Sequence, residues 1–291
     1  MPRIPALVVA ATLSATAAAA APVFSPSSST GWFAYSRVFI PPPSGPGPVK
    51  PDPAHPLISN DDFRDSGKQP TFPMGDPDSP ILKPWAAAAV RRHNAEVLAG
   101  KPAYSLHATC RPVGVPTFLL MPMTIPMYIV QGPREVLLIL EHFGDVRHIY
   151  LTDKHRPNLK PSWYGDSIGH YEGDTLVVDT IGLNDKTFVD EFKTPHTEEL
   201  HVVERFHLID GGKVLEVNVH VEDPGAFTTP FNAIQRFRQH EELTTRKSVA
   251  ELAQLATPEE GPLIEAICAE NPNSLMGLSE PAVPQAAVPD F

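Results

Sequence analysis

The chain is poor in the features that usually reveal a reaction. Only two cysteines occur, Cys110 and Cys268, 158 residues apart, so no Cys/His zinc motif can be assembled from them by spacing. There is no glycine-rich nucleotide or flavin fingerprint and no internal repeat. Basic clusters are also missing: 23 Lys and Arg stand against 34 Asp and Glu, for a net charge of -11. Such a surface does not neutralise a phosphate backbone or an anionic membrane, so neither nucleic acid nor acidic lipid is an expected partner. After residue 21 no apolar run approaches the roughly 20 residues of a spanning helix.

What the N-terminus does carry is one positive charge in Met1-Pro2-Arg3, followed by an Ala-rich, uncharged stretch from Ile4 to Ala21. This predicts a secretory signal peptide over residues 1–21 and a periplasmic or secreted mature protein with no membrane span. A retained anchor is the alternative, weakened by how few strongly apolar residues the run contains. Removing the segment takes away Arg3 alone among charged residues and moves the net charge from -11 to -12. In an oxidising compartment the two cysteines are expected to form a disulfide, which would close a loop long enough to contribute about 5 kcal/mol by the chain-entropy model. Two buried thiols, or one reactive thiol, are the other readings.

Residues 22–79 read as a proline-rich arm, with eight prolines between Pro41 and Pro56. Proline lacks the N–H that helices and central strands use, so this stretch runs extended, either as a linker or as a strap. Trp32, Phe33, Tyr35 and Phe39 just before it favour docking, because those rings need a place to bury. A helix is predicted over Pro84–Ala99, with Pro84 in its first turn, Gly100 at its end and a modest apolar face of Ala86, Ala89, Val90 and Val97.

From there the period changes to two. Strands are predicted at Met127–Val130, Glu135–Leu140, Val146–Leu151, Asp174–Thr180, Leu200–Ile209, Val214–Glu222 and Phe231–Arg238. Asp210-Gly211-Gly212-Lys213 marks a hairpin between two of them. Along the strand after it, Leu215, Val217, Val219 and Val221 alternate with Glu216, Asn218, His220 and Glu222, giving one apolar and one polar face. Eight or nine antiparallel strands with short connections favour closure into a lipocalin-like barrel, which removes unpaired edges; a β-sandwich is the alternative. The barrel domain is assigned to residues 80–271, with further helices at Lys247–Ala256 and Leu263–Ala269 and a loose tail over residues 272–291.

Polar, aromatic and glycine residues concentrate in the stretch Asp153–Tyr171 and the loop Asn184–Leu200, and loops on a rigid scaffold commonly carry function. Three chemistries fit their composition. Gly165-Asp166-Ser167-Ile168-Gly169 has the spacing of a nucleophile elbow, but that device needs a strand before the serine and a helix after it, and neither is expected here. His155, His170, His196 and His201 with Asp153, Asp166, Glu172 and Glu204 supply metal donors without a known ligand spacing, so zinc or a similar divalent ion is a weaker alternative to no cofactor. The third chemistry is acid–base catalysis by a histidine and a carboxylate, with burial tuning either group. Asp166, His170, His196, His201 and Glu204 are the catalytic candidates, and His155, Trp163, Tyr164 and Ser167 the substrate-contacting ones. A structural network of the same side chains is the bland reading. His201 and Glu204 share a face only if a bulge intervenes, since an odd separation on a strand points them apart. His148, Glu204, Arg205 and His220 lie within strands and read individually as a solvated or salt-bridged sheet face; if the barrel interior is polar they become lumen residues that orient a ligand.

Longer motifs add a family resemblance. Cys110 to Pro116, Pro161-Ser162-Trp163-Tyr164-Gly165 through Glu172-Gly173-Asp174-Thr175-Leu176-Val177-Val178-Asp179-Thr180, and Pro195-His196-Thr197 with Leu200-His201-Val202-Val203-Glu204-Arg205 resemble a widespread group of uncharacterised exported bacterial proteins. The resemblance runs from about Pro80 to Asn271 and includes Cys268-Ala269-Glu270-Asn271. It implies export and a shared fold, with no established activity, substrate or cofactor. In that group the position of Asp166 is usually His or Glu, so the shorter carboxylate here changes the reach of the group by about one methylene. The functional expectation is an enzyme acting on a small, fairly apolar organic molecule by elimination, isomerisation or hydrolysis without a redox cofactor. The rival expectation is a non-catalytic carrier of an apolar ligand.

Overall fold

The computed structural model describes residues 21–25, 31–58, 71–101, 106, 111–120, 125–140 and 145–239. Residues 1–20 of the expected signal segment, Cys110, Cys268, the two helices expected near the C-terminus and the expected tail lie outside the described residues. Nine strands close into a barrel in sequence order: β1 (Trp32–Ala34), β2 (Met127–Gln131), β3 (Glu135–Leu140), β4 (Asp145–Leu151), β5 (Asp166–Glu172), β6 (Thr175–Ile181), β7 (His201–Ile209), β8 (Val214–Glu222) and β9 (Phe231–Gln239). The mainly β closed barrel expected from the alternation is therefore present, and the sandwich is not.

Two strands depart from expectation. β5 occupies the end of the stretch read as irregular, because its Gly169, polar residues and aromatic break the apolar alternation; Gly169 faces inward where an added Cβ would lie 2.8 Å from Ile149 Cγ2. β5 also pairs parallel to β4, with Ile149 opposite Ser167 and Leu151 opposite Gly169, whereas all other pairs are antiparallel. A parallel neighbour requires the chain to return to the same end, which takes a connection of about a dozen residues or more. The segment from residue 152 to 165 is that connection. β1 is the second departure, a three-residue strand made of the aromatic group that precedes the prolines.

The proline-rich arm continues the β1 pairing along β9. Tyr35 N donates to Arg236 O, Ile40 and Ile234 exchange both backbone bonds, and Asn232 N donates to Pro46 O. The arm thus docks as a strap, with its carbonyls accepting where its prolines have no N–H to give.

The helix α1 (Pro84–Leu98) starts on Pro84 without a side-chain cap and ends before Gly100, whose φ of 71° is a left-handed value that favours glycine. Its buried face is Ala86, Ala87, Val90, His93 and Asn94; Ala89 and Val97, expected on that face, are only half-buried. Asn94 joins the buried stripe with its amide N–H used, Nδ2 donating to Gly75 O at 2.8 Å.

The core is the barrel lumen and its caps. Leu138, Ile149, Val178, Val202, Phe206 and Val217 point inward and are fully buried, each contributing roughly 1.5–3 kcal/mol relative to exposure. Phe118, Leu119 and Leu120, in a short 3-10 turn at Thr117–Leu120, are buried in the same core.

Candidate functional site

Three of the sequence candidates come together on the outer wall of the barrel, joined by a residue that was not among them. Asp166 opens β5 and is 1% exposed at its side chain. Its Oδ2 lies 3.0 Å from His155 Nδ1 and accepts from Arg156 N at 3.1 Å, while Oδ1 accepts from Arg156 Nε at 2.7 Å. His155 Nε2 lies 3.1 Å from Asp179 Oδ1, and the same oxygen lies 3.0 Å from His201 Nε2. The register explains the meeting. Asp179 on β6 stands between Ile168 of β5 and Val203 of β7, all outward, and His201 lies one outward position along β7. His155 reaches over from the β4–β5 connection.

Beyond His201 the polar line continues across β8 to β9. His201 Nδ1 is 3.7 Å from Glu222 Oε2. Glu222 Oε1 is 2.9 Å from His220 Nε2, and His220 Nδ1 is 2.8 Å from Asn232 Oδ1. Asp166, His155, Asp179, His201, Glu222 and His220 thus form an alternating line of carboxylates and imidazoles, buried at the Asp166 end and open toward Asp179 (41% exposed) and Glu222 (45% exposed).

The proton inventory of this line is restrictive. Ionised carboxylates only accept, so His155 makes both its contacts as hydrogen bonds only when both ring nitrogens carry protons. His201 donates from Nε2 to Asp179, which leaves Nδ1 facing Glu222 at a distance too long for a hydrogen bond. Among the ring nitrogens along the line from Asp166 to His220, it is the one with the longest contact. Burial alone would raise the Asp166 pKa, but the bonds from the Arg156 backbone, His155 and the Arg156 guanidinium outweigh it and hold the carboxyl below its usual range. Desolvation pulls His220 down, and its bonds to Glu222 and Asn232 overcome that and raise it.

The remaining candidates go elsewhere. His170 is outward on β5 and pairs with Glu172 at 3.0 Å, an exposed surface contact. His196 is buried in the β6–β7 loop, where Nδ1 donates to Thr197 O at 2.8 Å and Nε2 accepts from Thr187 Oγ1 at 2.7 Å. A carbonyl can only accept, so the ring is held as one neutral tautomer, and burial lowers its pKa. It is a loop clasp and joins no catalytic group. Trp163 is half-buried ahead of β5. Tyr164 packs edge-on against Phe118, with ring centroids 5.7 Å apart, and burial with the nearby Asp145 carboxylate drives its phenol well above the ordinary range. Neither is part of the His155–Asp179–His201 group.

Glu204 and Ser167 lie on the other side of the wall. Glu204 has the same strand parity as Val202 and Phe206 and so faces the lumen, opposite in sense to His201; no bulge brings the two together. Arg147 of β4 meets it there. Nη1 donates to Glu204 Oε1 at 2.9 Å, Nη2 contacts Oε2, and Nη2 also donates to Thr180 Oγ1 at 2.9 Å. Ser167 Oγ accepts from Arg147 Nε at 3.3 Å and lies 2.9 Å from Thr180 Oγ1. Ser167 sits within a strand, without the strand–turn–helix of an elbow, and the residue is buried.

Asp179, Arg147 and Glu222 were missed in the sequence, although strand parity carried the signal. Asp179 has the outward parity of its strand, and Arg147 has the parity of Ile149. Among the described residues, no group of three or more His, Cys, Asp or Glu side chains is arranged to hold a metal ion, and no helix is long and apolar enough to cross a membrane. No known protein-family model, curated protein or solved structure matches the chain.

Proposed function

We propose that the protein is an exported enzyme that moves a proton on a small organic substrate at the outer wall of the barrel, with His201 as the acid–base group. The observation that carries this reading is the single oxygen Asp179 Oδ1, held between His155 Nε2 at 3.1 Å and His201 Nε2 at 3.0 Å. A carboxylate fixed on one imidazole nitrogen sets the tautomer and orients the lone pair on the other. Here that other atom is His201 Nδ1, which is 3.7 Å from Glu222 Oε2, outside hydrogen-bond distance, and both side chains are partly exposed to solvent, from which a substrate would approach.

The roles follow from the contacts. His201 takes the proton and returns it. Asp179 positions His201 and stabilises the imidazolium that forms. His155, clamped by Asp166, holds Asp179 in place and offsets its charge. Hydrolysis, elimination and isomerisation share this first proton transfer, so all three remain within the reading. Among the described residues, the lumen-facing Arg147, Glu204, Phe206 and Gln235 have none of their surface exposed, which weighs against an open chamber for an apolar ligand at their level. Export rests on the Ala-rich N-terminal segment.

The test is turnover by the purified mature protein in a mixed panel of small esters, hydroxy acids and unsaturated acids, followed by mass spectrometry, with His201→Gln and Asp179→Asn alongside. General acid–base groups contribute about 10²–10⁴-fold, so a loss of about that size in His201→Gln with an unchanged melting temperature is expected. Full turnover in both variants overturns the reading, as does an intact molecule co-purifying with a protein that turns nothing over.

A further inference from the structure

The polar line ends at His220, and His220 is also part of the floor of a groove. Two outward rows of three residues make that floor: Val203, His220 and Asn232, then Arg205, Asn218 and Ile234, each row running across β7, β8 and β9 in register. Pro42 and Pro43 of the strap form one wall. The strap is held there by the paired backbone bonds of Ile40 with Ile234 and by Asn232 N to Pro46 O, so the wall belongs to the fold. Proline rings have few rotamers to lose, which makes such a wall rigid before anything binds.

The lining has two characters. Val203, Ile234, Ala233, Pro42 and Pro43 are apolar. Arg205 and Asn218 sit side by side at one end, since they are direct partners across β7 and β8. Arg205 uses Nη2 on Glu172 at 2.6 Å, and a guanidinium has five N–H donors, so others remain to face the groove. The Asn218 amide adds two more. The donors gather at the far end from the Glu222–His201 pair, one row beyond His220. The volume, about 180 Å³, is below the roughly 300–1,000 Å³ of pockets for drug-sized ligands. It matches one ring or a short branched chain better than a long acyl chain, most of which would lie outside it.

We propose that this groove binds a small ring-bearing or branched carboxylic acid, with its carboxylate on Arg205 and Asn218 and its apolar body over Val203 and Ile234 against the Pro42–Pro43 wall. This deepens the acid–base reading and rests on it for the identification of the ligand as substrate. Rows on one strand face are about 7 Å apart. A ring anchored at the Arg205 row therefore presents its far edge to His220, and the Glu222–His201 pair lies one further row on. The protonated form of His220, favoured by Glu222, complements an anion in the groove.

The probes are benzoate and cyclohexanecarboxylate, with neutral benzamide and long-chain dodecanoate as comparisons. Binding is followed by two-dimensional NMR on the full mature chain and on Asp179→Asn, which lacks the orienting carboxylate for His201. Saturable shifts confined to β7–β9 and the strap, at least about tenfold tighter for the two ring acids than for benzamide or dodecanoate, are expected in both proteins. Arg205→Gln should weaken benzoate by about tenfold, the worth of one charge-assisted contact, and Val203→Trp should abolish binding while the remaining spectrum stays dispersed. Equal affinity for benzamide, shifts outside the groove, or no saturable binding in either protein overturns the proposal. Binding that survives while no acid is turned over leaves the groove standing and sinks the acid–base reading alone.

Discussion

Arg147 and Glu204 face each other across the barrel lumen from β4 and β7, guanidinium to carboxylate, with no part of either side chain reached by solvent. Desolvating two ions is expensive, and their attraction offsets that cost only when the remaining donors and acceptors are satisfied. Ser167 and Thr180 do so, taking the outer guanidinium edge. Removing one ion leaves the other buried and alone. Glu204→Leu is therefore expected to lower unfolding free energy by about 3–5 kcal/mol in urea titration, and Arg147→Met with Glu204→Leu to recover most of that. A single-variant loss under about 1 kcal/mol would mean that the charges are not sealed in as described.

Ser167 gives a second expectation, because the same network occupies its hydroxyl. A serine whose Oγ bonds Arg147 and Thr180 inside a strand has no base beside it and no path for an electrophile. Fluorophosphonate probes should leave Ser167 unlabelled in intact-mass and peptide analysis, and Ser167→Ala should retain turnover at a cost of about 1–3 kcal/mol in stability from the polar atoms it leaves unmet.

The alternation of β8 was readable residue by residue, since Leu215 to Val221 pack inward and Glu216 to Glu222 face out, as their period demands. The same rule applied to β7 already places Glu204 inside with Val202 and Phe206, and an inward acid asks for an inward base, which Arg147 supplies. What parity cannot provide is the third dimension of the site. His155 lies outside any strand and meets Asp166 and Asp179 only because the β4–β5 connection folds back over the wall, a consequence of the parallel pairing. β5 itself was hidden because Gly169, His170 and the aromatic Tyr171 replace its apolar signal. His196 shows the opposite error: polar company in a loop motif was read as chemistry, and the ring proves to be fastened by Thr187 and a backbone carbonyl.

Two buried groups should write opposite slopes into stability against pH. Burial lowers His196, so below its ordinary value near 6.5 the unfolded chain binds a proton that the folded chain refuses, and stability falls as pH drops through that region. Burial pushes Asp190 up to about 6 despite bonds from Thr194 and Phe192 N–H. Between its unfolded value near 3.9 and about 6, the folded state holds the extra proton, so its contribution is present at low pH and is lost as pH rises through about 6. Asp190→Asn keeps an oxygen acceptor without the charge. It should match the wild type near pH 4 and exceed it at pH 7.5 by an amount on the order of 2–3 kcal/mol, read from urea midpoints. His196→Gln should flatten the acid-side loss instead. Parallel curves for Asp190→Asn and the wild type would contradict the upward push that burial gives this carboxyl.

Asp166 tests the clamp behind the site. Its carboxyl is held below the ordinary range, so its contribution is fully present above the unfolded value near 3.9 and disappears as pH falls through the lower folded value. Asp166→Asn keeps the shape but loses the charge that pairs with Arg156 and His155. The difference in unfolding free energy from the wild type should be about 1–3 kcal/mol and constant from pH 6 to 8, then close below about pH 4. Asp166→Glu extends the carboxylate by one methylene, which displaces His155 and through it Asp179. Because neither change touches the substrate, kcat should fall by about tenfold in both variants with KM nearly unchanged, and the His201 ring signals should broaden or shift in NMR. Loss of stability with kcat and the His201 signals untouched would reduce Asp166 to a structural anchor and disconnect it from the proton chemistry of His201.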